Sequence, residues 1–292
     1  MRPLCILGLA CGLAGCATRL EPESRWSDEL KGEPLSHVLL RKDVGIISEG
    51  FGSGLVLHSS KERGTILLTC AHLACYTPEM LVSGSGEDFQ SAVGREHTCG
   101  RDVQLDVFIH ANSVSGEAPW SEWRKFRGDV LYGRFVIEGF PIDSRYRADS
   151  ISDFKSPRML DLALVRVHTG REPLHPISLT PGHPTFPAKG TVAGIDYISN
   201  RPYRSAVLLP SEGVFLKDGQ YSSGSGVFDR EGRFCGVFAM EVPFSGWVST
   251  GEERIEISRQ YCYVPFQKVR KVLTEEGFAW LFGREDAVSE IR

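Results

Sequence analysis

The sequence lacks the features that mark several large classes of protein. Its 33 Lys and Arg residues are scattered without a basic stripe and the formal net charge is -4, so nothing supports a nucleic-acid surface. Beyond the N-terminal region there is no second linker, internal repeat or low-complexity tract, which argues against a chain of small domains. The apolar run at residues 3–13 is too short to cross a bilayer as a mature helix.

The N-terminal region instead has the order of a secretory signal, in which a positive charge precedes a short apolar run and small residues. Its end, Leu13-Ala14-Gly15-Cys16, resembles the lipobox of bacterial lipoproteins, which implies cleavage after residue 15 and lipidation of Cys16. Cys11 lacks the usual aliphatic residue three positions earlier. An uncleaved or ordinary signal stays an open alternative.

The same resemblance implies a place in the cell. Several acyl chains on Cys16 would hold the protein firmly to a membrane of a bacterial cell envelope. Ala17 follows the cysteine, which favours sorting to the outer membrane if the cell has one. Residues 16–35 are polar and contain Pro22 and Pro34, so we predict a tether between the membrane and a folded domain.

The rest of the chain has an all-β pattern. Short apolar runs, such as 55–58, 65–70 and 162–167, alternate with segments rich in Gly, Pro, Ser and Asp. Removal of residues 1–15 leaves about 277 residues, which suits one large all-β domain, predicted at 36–285 with a tail at 286–292. From Pro265 the pattern changes, because four apolar residues then share one helical face: Phe266, Val269, Val272 and Leu273.

Three segments carry candidate chemistry. Ser223 lies in a glycine-rich turn before a short apolar run, and a serine needs a base and an orienting carboxylate to act as a nucleophile. His72 follows the apolar run that ends at Cys70, and Asp161 begins another. Each therefore lies at the border of a predicted strand, where rigid structure can position a side chain.

In this order, Thr69-Cys70-Ala71-His72, Asp161-Leu162-Ala163-Leu164 and Ser223-Gly224-Ser225-Gly226-Val227-Phe228 resemble the signature segments of the trypsin-like (chymotrypsin-fold) serine peptidases. The resemblance covers roughly residues 36–275. It implies two six-stranded antiparallel β-barrels of Greek-key order and a C-terminal α-helix packed on the second barrel. It also implies endopeptidase activity on protein or peptide substrates, with no cofactor or metal; the oligomeric state stays open.

The resemblance assigns roles to the three residues. His72 takes the proton of Ser223 and later passes it to the leaving amine, while Asp161 orients the imidazole. Ser222 and Ser225 are the competing serines, and Asp106 and Asp153 are the competing carboxylates.

One position departs from the family. Backbone N–H groups of Tyr221 and Ser223 would form the oxyanion hole, but the family usually has glycine where this chain has Tyr221. The alternative function is therefore a weak or inactive peptidase homologue, tethered to a membrane, that binds a partner through the long segment 111–156.

The remaining cysteines give two further expectations. An exported protein permits disulfides, and our tentative pairs are Cys75 with Cys99 and Cys235 with Cys262, leaving Cys70 as a buried thiol. A zinc site is the competing interpretation, because histidines and cysteines cluster in sequence. Its ligands would come from Cys70, His72, Cys75, His97 and Cys99.

Overall fold

The computed structural model describes residues 36–43, 49–75, 97–99, 103–110, 123–138, 147–148, 156, 158–169, 174–196, 201–216, 221–250 and 253–283. The predicted signal segment, Cys16, the tether and the tail at 286–292 lie outside these residues, so those boundaries stay predictions. None of the helices in the described ranges is long and apolar enough to span a bilayer.

Eight strands lie between residues 37 and 167. They are β1 (His37–Asp43), β2 (Glu49–Ser60), β3 (Gly64–Thr69), β4 (His97–Thr98), β5 (Gln104–His110), β6 (Trp123–Glu138), β7 (Arg147–Ala148) and β8 (Arg158–Val167). Six of them form a closed antiparallel ring in the order β1-β2-β3-β8-β6-β5, because β5 pairs back with β1. The short strand β4 adds to β6 outside the ring.

Six strands of the second half form a second ring. They are β9 (Ala188–Asp196), β10 (Arg201–Ser211), β11 (Val214–Leu216), β12 (Gly226–Asp229), β13 (Phe234–Thr250) and β14 (Glu253–Pro265). The order β9-β10-β11-β14-β13-β12 closes through β12 and β9 and repeats the order of the first ring. The predicted fold of two six-stranded antiparallel Greek-key barrels is therefore confirmed.

The C-terminal helix covers part of this fold. Two α-helices are described, α1 (Ala71–Cys75) and α2 (Phe266–Leu273). A π-helical segment (Thr274–Phe278) and a 3-10 helix (Ala279–Phe282) follow α2. Phe266 contacts Phe234 of the second barrel, as the family resemblance implies, with ring centroids 5.3 Å apart. The helix also reaches the first barrel, because Lys268 Nζ donates to the Met159 carbonyl at 2.7 Å. The predicted C-terminal helix on the second barrel is thus confirmed, and it contacts the first barrel as well.

The chain beyond α2 continues along the first barrel. The Trp280 ring lies edge-on to His58, with centroids 5.2 Å apart, and the Arg63 guanidinium lies 4.1 Å from the Trp280 ring. The apolar residues of α2 belong to the same buried cluster as β3 and β8. This burial explains why β3 is buried at all six positions rather than alternating as a half-exposed strand would.

Ser53 of β2 joins the two barrels. It is fully buried, and its hydroxyl accepts the Ile195 N–H at 2.8 Å and lies 3.2 Å from the Ile195 carbonyl in β9. Its own N–H donates to the Ser223 carbonyl at 2.7 Å. Its carbonyl accepts the Thr69 hydroxyl, also at 2.7 Å. One residue therefore connects β2, β3, β9 and the serine turn.

Replacement of Ser53 tests this connection. Ser53→Ala leaves two buried backbone groups of Ile195 without their partner, so we expect it to lower the free energy of unfolding by about 1–3 kcal/mol. Urea unfolding would measure the change. The matched control is Ser178→Ala at an exposed serine, expected to stay within about 0.5 kcal/mol of the wild type. Equal stability of both variants would contradict the connecting role.

His37 of β1 provides a second point of contact between the barrels. Burial, followed by the positive charge of Arg204 in the second barrel, lowers the pKa of His37 from 6.5 to about 4, while a hydrogen bond with the Ala193 backbone opposes this shift. The unfolded chain therefore binds a proton between about pH 6.5 and pH 4 that the folded protein does not bind.

We accordingly expect stability to fall as the pH drops from about 6.5 to 4, with His37 contributing up to about 3 kcal/mol of that loss. Urea midpoints across this range would measure it. His37→Gln removes the titration, so the variant should lose less stability than the wild type over the same interval. Parallel pH curves for the two proteins would refute this assignment.

Candidate active site

His72 and Asp161 form a buried pair in the first barrel. Strand β3 ends at Thr69, and helix α1 begins two residues later, which places His72 beside β8, where Asp161 lies. The Asp161 carboxylate accepts the His72 backbone N–H at 2.9 Å and the His72 Nδ1–H at 2.5 Å. Because a carboxylate accepts from Nδ1, the other ring nitrogen, Nε2, is left as the base.

The Asp161 side chain is more deeply buried than the His72 side chain. Asp161 is completely buried, whereas 20% of the His72 side chain is exposed. A buried carboxylate is costly unless it is hydrogen-bonded, and both oxygens of Asp161 are satisfied by His72. The competing Asp106 lies elsewhere on the first barrel, 2.6 Å from Lys125 Nζ. Asp153 lies outside the described residues.

The serine turn is held by backbone contacts across the second barrel. Gly224 has φ +85°, and a Cβ there would collide with the Ser53 carbonyl, so this position requires glycine. The Gly224 N–H donates to the Phe238 carbonyl at 2.8 Å, and the Phe238 N–H donates to the Ser225 carbonyl at 2.8 Å. The turn is therefore fixed between β13 and β2.

The three serines of the turn have different surroundings. Ser225 is buried, and its hydroxyl lies 2.5 Å from the Ser222 carbonyl and 2.7 Å from the Tyr203 hydroxyl. Ser222 is also buried, and its N–H donates to the Tyr203 hydroxyl at 3.1 Å. Only Ser223 is half-buried. The structure thus favours Ser223 over its two neighbours as the accessible hydroxyl.

The Ser223 hydroxyl donates to the Ala239 carbonyl at 3.2 Å. Among the described residues this is its only hydrogen bond, so the serine is not bonded to His72 in this conformation. The two lie on facing elements nevertheless, because the Phe238 carbonyl accepts both the Gly224 N–H and the Cys70 thiol. The Ser223 N–H has no acceptor within the described part of the chain and is available as an oxyanion donor.

Tyr221 is anchored by its side chain. Its ring packs on those of Tyr261 and Phe215, with centroids 5.0 and 5.5 Å away, and its hydroxyl lies 3.5 Å from that of Ser205. This packing holds the residue beside the serine turn.

Cys70 lies next to the His72–Asp161 pair. One ligand atom from each of the three residues lies within 4.8 Å of the other two. Burial, and then the charge of Asp161, raise the pKa of the Cys70 thiol, which opposes the thiolate that a metal requires. Cys99 is disulfide-bonded and cannot serve as a thiolate ligand, and the side chains of Cys75 and His97 lie outside the description. These observations weaken the zinc interpretation.

The predicted disulfide between Cys235 and Cys262 is wrong, since both are free, buried thiols. Strands β13 and β14 pair Met240 with Cys262 and Gly236 with Pro265. Cys235 is therefore offset from Cys262 by roughly four residues, or about 13 Å along the strands, beyond the reach of a disulfide. The pairing of Cys99 with Cys75 stays a prediction, because the Cys75 side chain is not described.

Sequence reasoning missed two residues that support the site, Ser53 and Tyr203. Ser53, Tyr203 and the Ala239 carbonyl contact the serine turn from strands far away in sequence. The signal for Ser53 was present in Gly52-Ser53-Gly54, because small residues at a strand indicate close backbone approach. A Cβ on Gly52 would meet the Ser223 carbonyl at 2.8 Å. No comparable sequence signal marks Tyr203.

No family model and no curated protein matches this chain. Solved structures that are similar to it in fold include two that are each 14% identical. The MamO protease domain from Magnetospirillum magneticum is 14% identical, with 82% of this chain and 96% of that chain covered and a TM-score of 0.44. Deg5 is also 14% identical, with 86% and 94% covered and a TM-score of 0.45. At this distance the likeness assigns no residue role and no activity.

Proposed function

We propose that this protein is a serine endopeptidase that hydrolyses peptide bonds through an acyl-enzyme. The observation that carries the proposal is the buried Asp161 carboxylate on His72 Nδ1, which leaves Nε2 as a base on an element that faces the serine turn. An aspartate in this contact fixes the tautomer of the imidazole and stabilises the imidazolium that forms. The three segments carrying these residues also occur in the order of the peptidase family.

The proposed reaction begins with rotation of the Ser223 hydroxyl from the Ala239 carbonyl toward His72. His72 Nε2 takes the hydroxyl proton as Oγ bonds to the substrate carbonyl carbon, and the carbonyl oxygen becomes an oxyanion. The N–H groups of Ser223 and Tyr221 donate to this oxyanion. His72 then protonates the leaving amine. Water next attacks the acyl-enzyme, with His72 taking the proton of the water and returning it to Ser223 Oγ as the acid product leaves. No cofactor takes part in these steps.

Two observations favour a second function. The Ser223 hydroxyl is bonded to the Ala239 carbonyl rather than to His72, and tyrosine stands at the first oxyanion position. Both are compatible with a weak or inactive homologue that binds a protein partner. Loss of one oxyanion donor lowers turnover by about 100-fold to 1000-fold.

A fluorophosphonate probe separates the two functions. The full-length protein in detergent should be labelled covalently, Ser223→Ala should abolish labelling, and Asp161→Asn should slow it by about 10³–10⁴-fold because the wrong tautomer is stabilised. Ser222→Ala is the matched control and should retain labelling. Absence of labelling in folded wild-type protein would favour the binding function, and equal labelling of Ser223→Ala would refute the nucleophile.

We also propose that Cys16 carries the lipid anchor of an envelope protein, in the outer membrane where the cell has one. Cells fed radioactive palmitate should incorporate it into the wild-type protein, and Cys16→Ser should lose it. Cys11→Ser is the control and should keep the label. Palmitate retained by the Cys16 variant, or absent from the wild type, would rule out the anchor.

A further inference from the structure

A cluster of aromatic rings fills the end of the second barrel beside Ser223. The Tyr221 ring lies 5.0 Å from Tyr261, 5.5 Å from Phe215 and 6.3 Å from Phe238, centroid to centroid. Tyr261 is completely buried and is stacked on Phe215 at 5.0 Å with an interplanar angle of 9°. Tyr221 is half-buried and lies at the rim of the cluster. The space beside the Tyr221 ring, toward β11, β13 and β14, is therefore occupied by other rings.

This space is where the proposed reaction would place part of a substrate. The leaving amine must face His72 to receive a proton, so the acyl segment lies on the opposite side, toward the second barrel. At that place, no strand in the described part of the chain pairs with the edge of β13 between Phe238, which bonds to the serine turn, and Ser245, which pairs with β7. An extended peptide can add to such an edge by backbone hydrogen bonds.

Two groups of the protein can position the substrate residue whose carbonyl Ser223 attacks, here called the acyl residue, on the edge of β13. Its N–H can take the Ala239 carbonyl in place of the Ser223 hydroxyl, and its carbonyl oxygen faces the Ser223 N–H. With both backbone groups held, its side chain projects between the serine turn and β13, onto the rings of Tyr221 and Tyr261. A cavity of about 220 Å³ in this barrel lies elsewhere, lined by Gly182, Glu212, Cys235 and others, and does not supply a pocket at Ser223.

Resting on the proposed function, we infer that Tyr221 and Tyr261 close the acyl-side subsite, so that the protein cleaves after glycine or alanine. A larger side chain would have to displace rings that already contact one another, and a packed apolar site resists added volume. One extra methylene in a filled pocket typically changes selectivity by about 10-fold or more. Tyr221 and Tyr261 are thus the specificity-determining residues.

The ranking of substrates tests the inference. Diphenyl phosphonate esters of acetylated tripeptides, differing only in the final residue, should label the full-length protein fastest with Gly or Ala. Those with Leu, Phe or Lys should react at least about 10-fold more slowly. Faster reaction of any large residue would overturn the closed subsite. This ranking needs no variant and does not depend on one that folds.

Tyr261→Ala should raise the reaction of the Leu and Phe probes relative to the Ala probe by at least about 10-fold, since it removes a ring from the subsite. Tyr261→Phe keeps the ring and should keep the wild-type ranking. A thermal melt checks that each variant folds. An unchanged ranking in folded Tyr261→Ala would refute the role of Tyr261.

Failure of this inference and failure of the proposed function give different results. Fluorophosphonate labelling at Ser223 with a preference for large acyl residues leaves the peptidase in place and removes only the closed subsite. Absence of fluorophosphonate labelling in folded protein removes the peptidase, and the subsite with it.

Discussion

The candidate site depends on the hydrogen bonds that Ser53 makes across the barrel interface. The site needs groups from both barrels, since His72 and Asp161 come from the first and Ser223 from the second. Ser53 fixes their relation, because it holds the Ser223 carbonyl, the Ile195 backbone and the Thr69 hydroxyl at once. These bonds are buried from water, so each broken bond leaves an unsatisfied group. Small shifts between the barrels are thereby resisted.

The His72–Asp161 pair shows how the first barrel tolerates a carboxylate in its interior. The backbone N–H and Nδ1–H of His72 both donate to Asp161. The histidine that Asp161 orients therefore also stabilises the buried carboxylate. The neighbouring Cys70 is held as a neutral thiol by burial, which raises its pKa, and it bonds to the Phe238 carbonyl. Cys70 therefore does not compete for the proton of the pair.

In the proposed peptidase, Tyr221 links specificity to the oxyanion site. Its ring lies in the aromatic cluster, while its backbone lies two residues before Ser223. The packing that closes the acyl-side subsite therefore also determines where the Tyr221 N–H can lie. A glycine at position 221 would have no side chain to fix the position of this N–H. A rigid donor position and a small subsite would then have the same cause.

The sequence by itself determined the all-β pattern, the C-terminal helix and the segments that carry His72, Asp161 and Ser223, because each depends on residues close together along the chain. Only the tertiary structure decided which partners meet. The bonds of Ser53, the Ser223–Ala239 contact, the free thiols of Cys235 and Cys262, and the reach of α2 to the first barrel all join distant segments. Such contacts follow from strand register and barrel packing, which local periodicity does not specify.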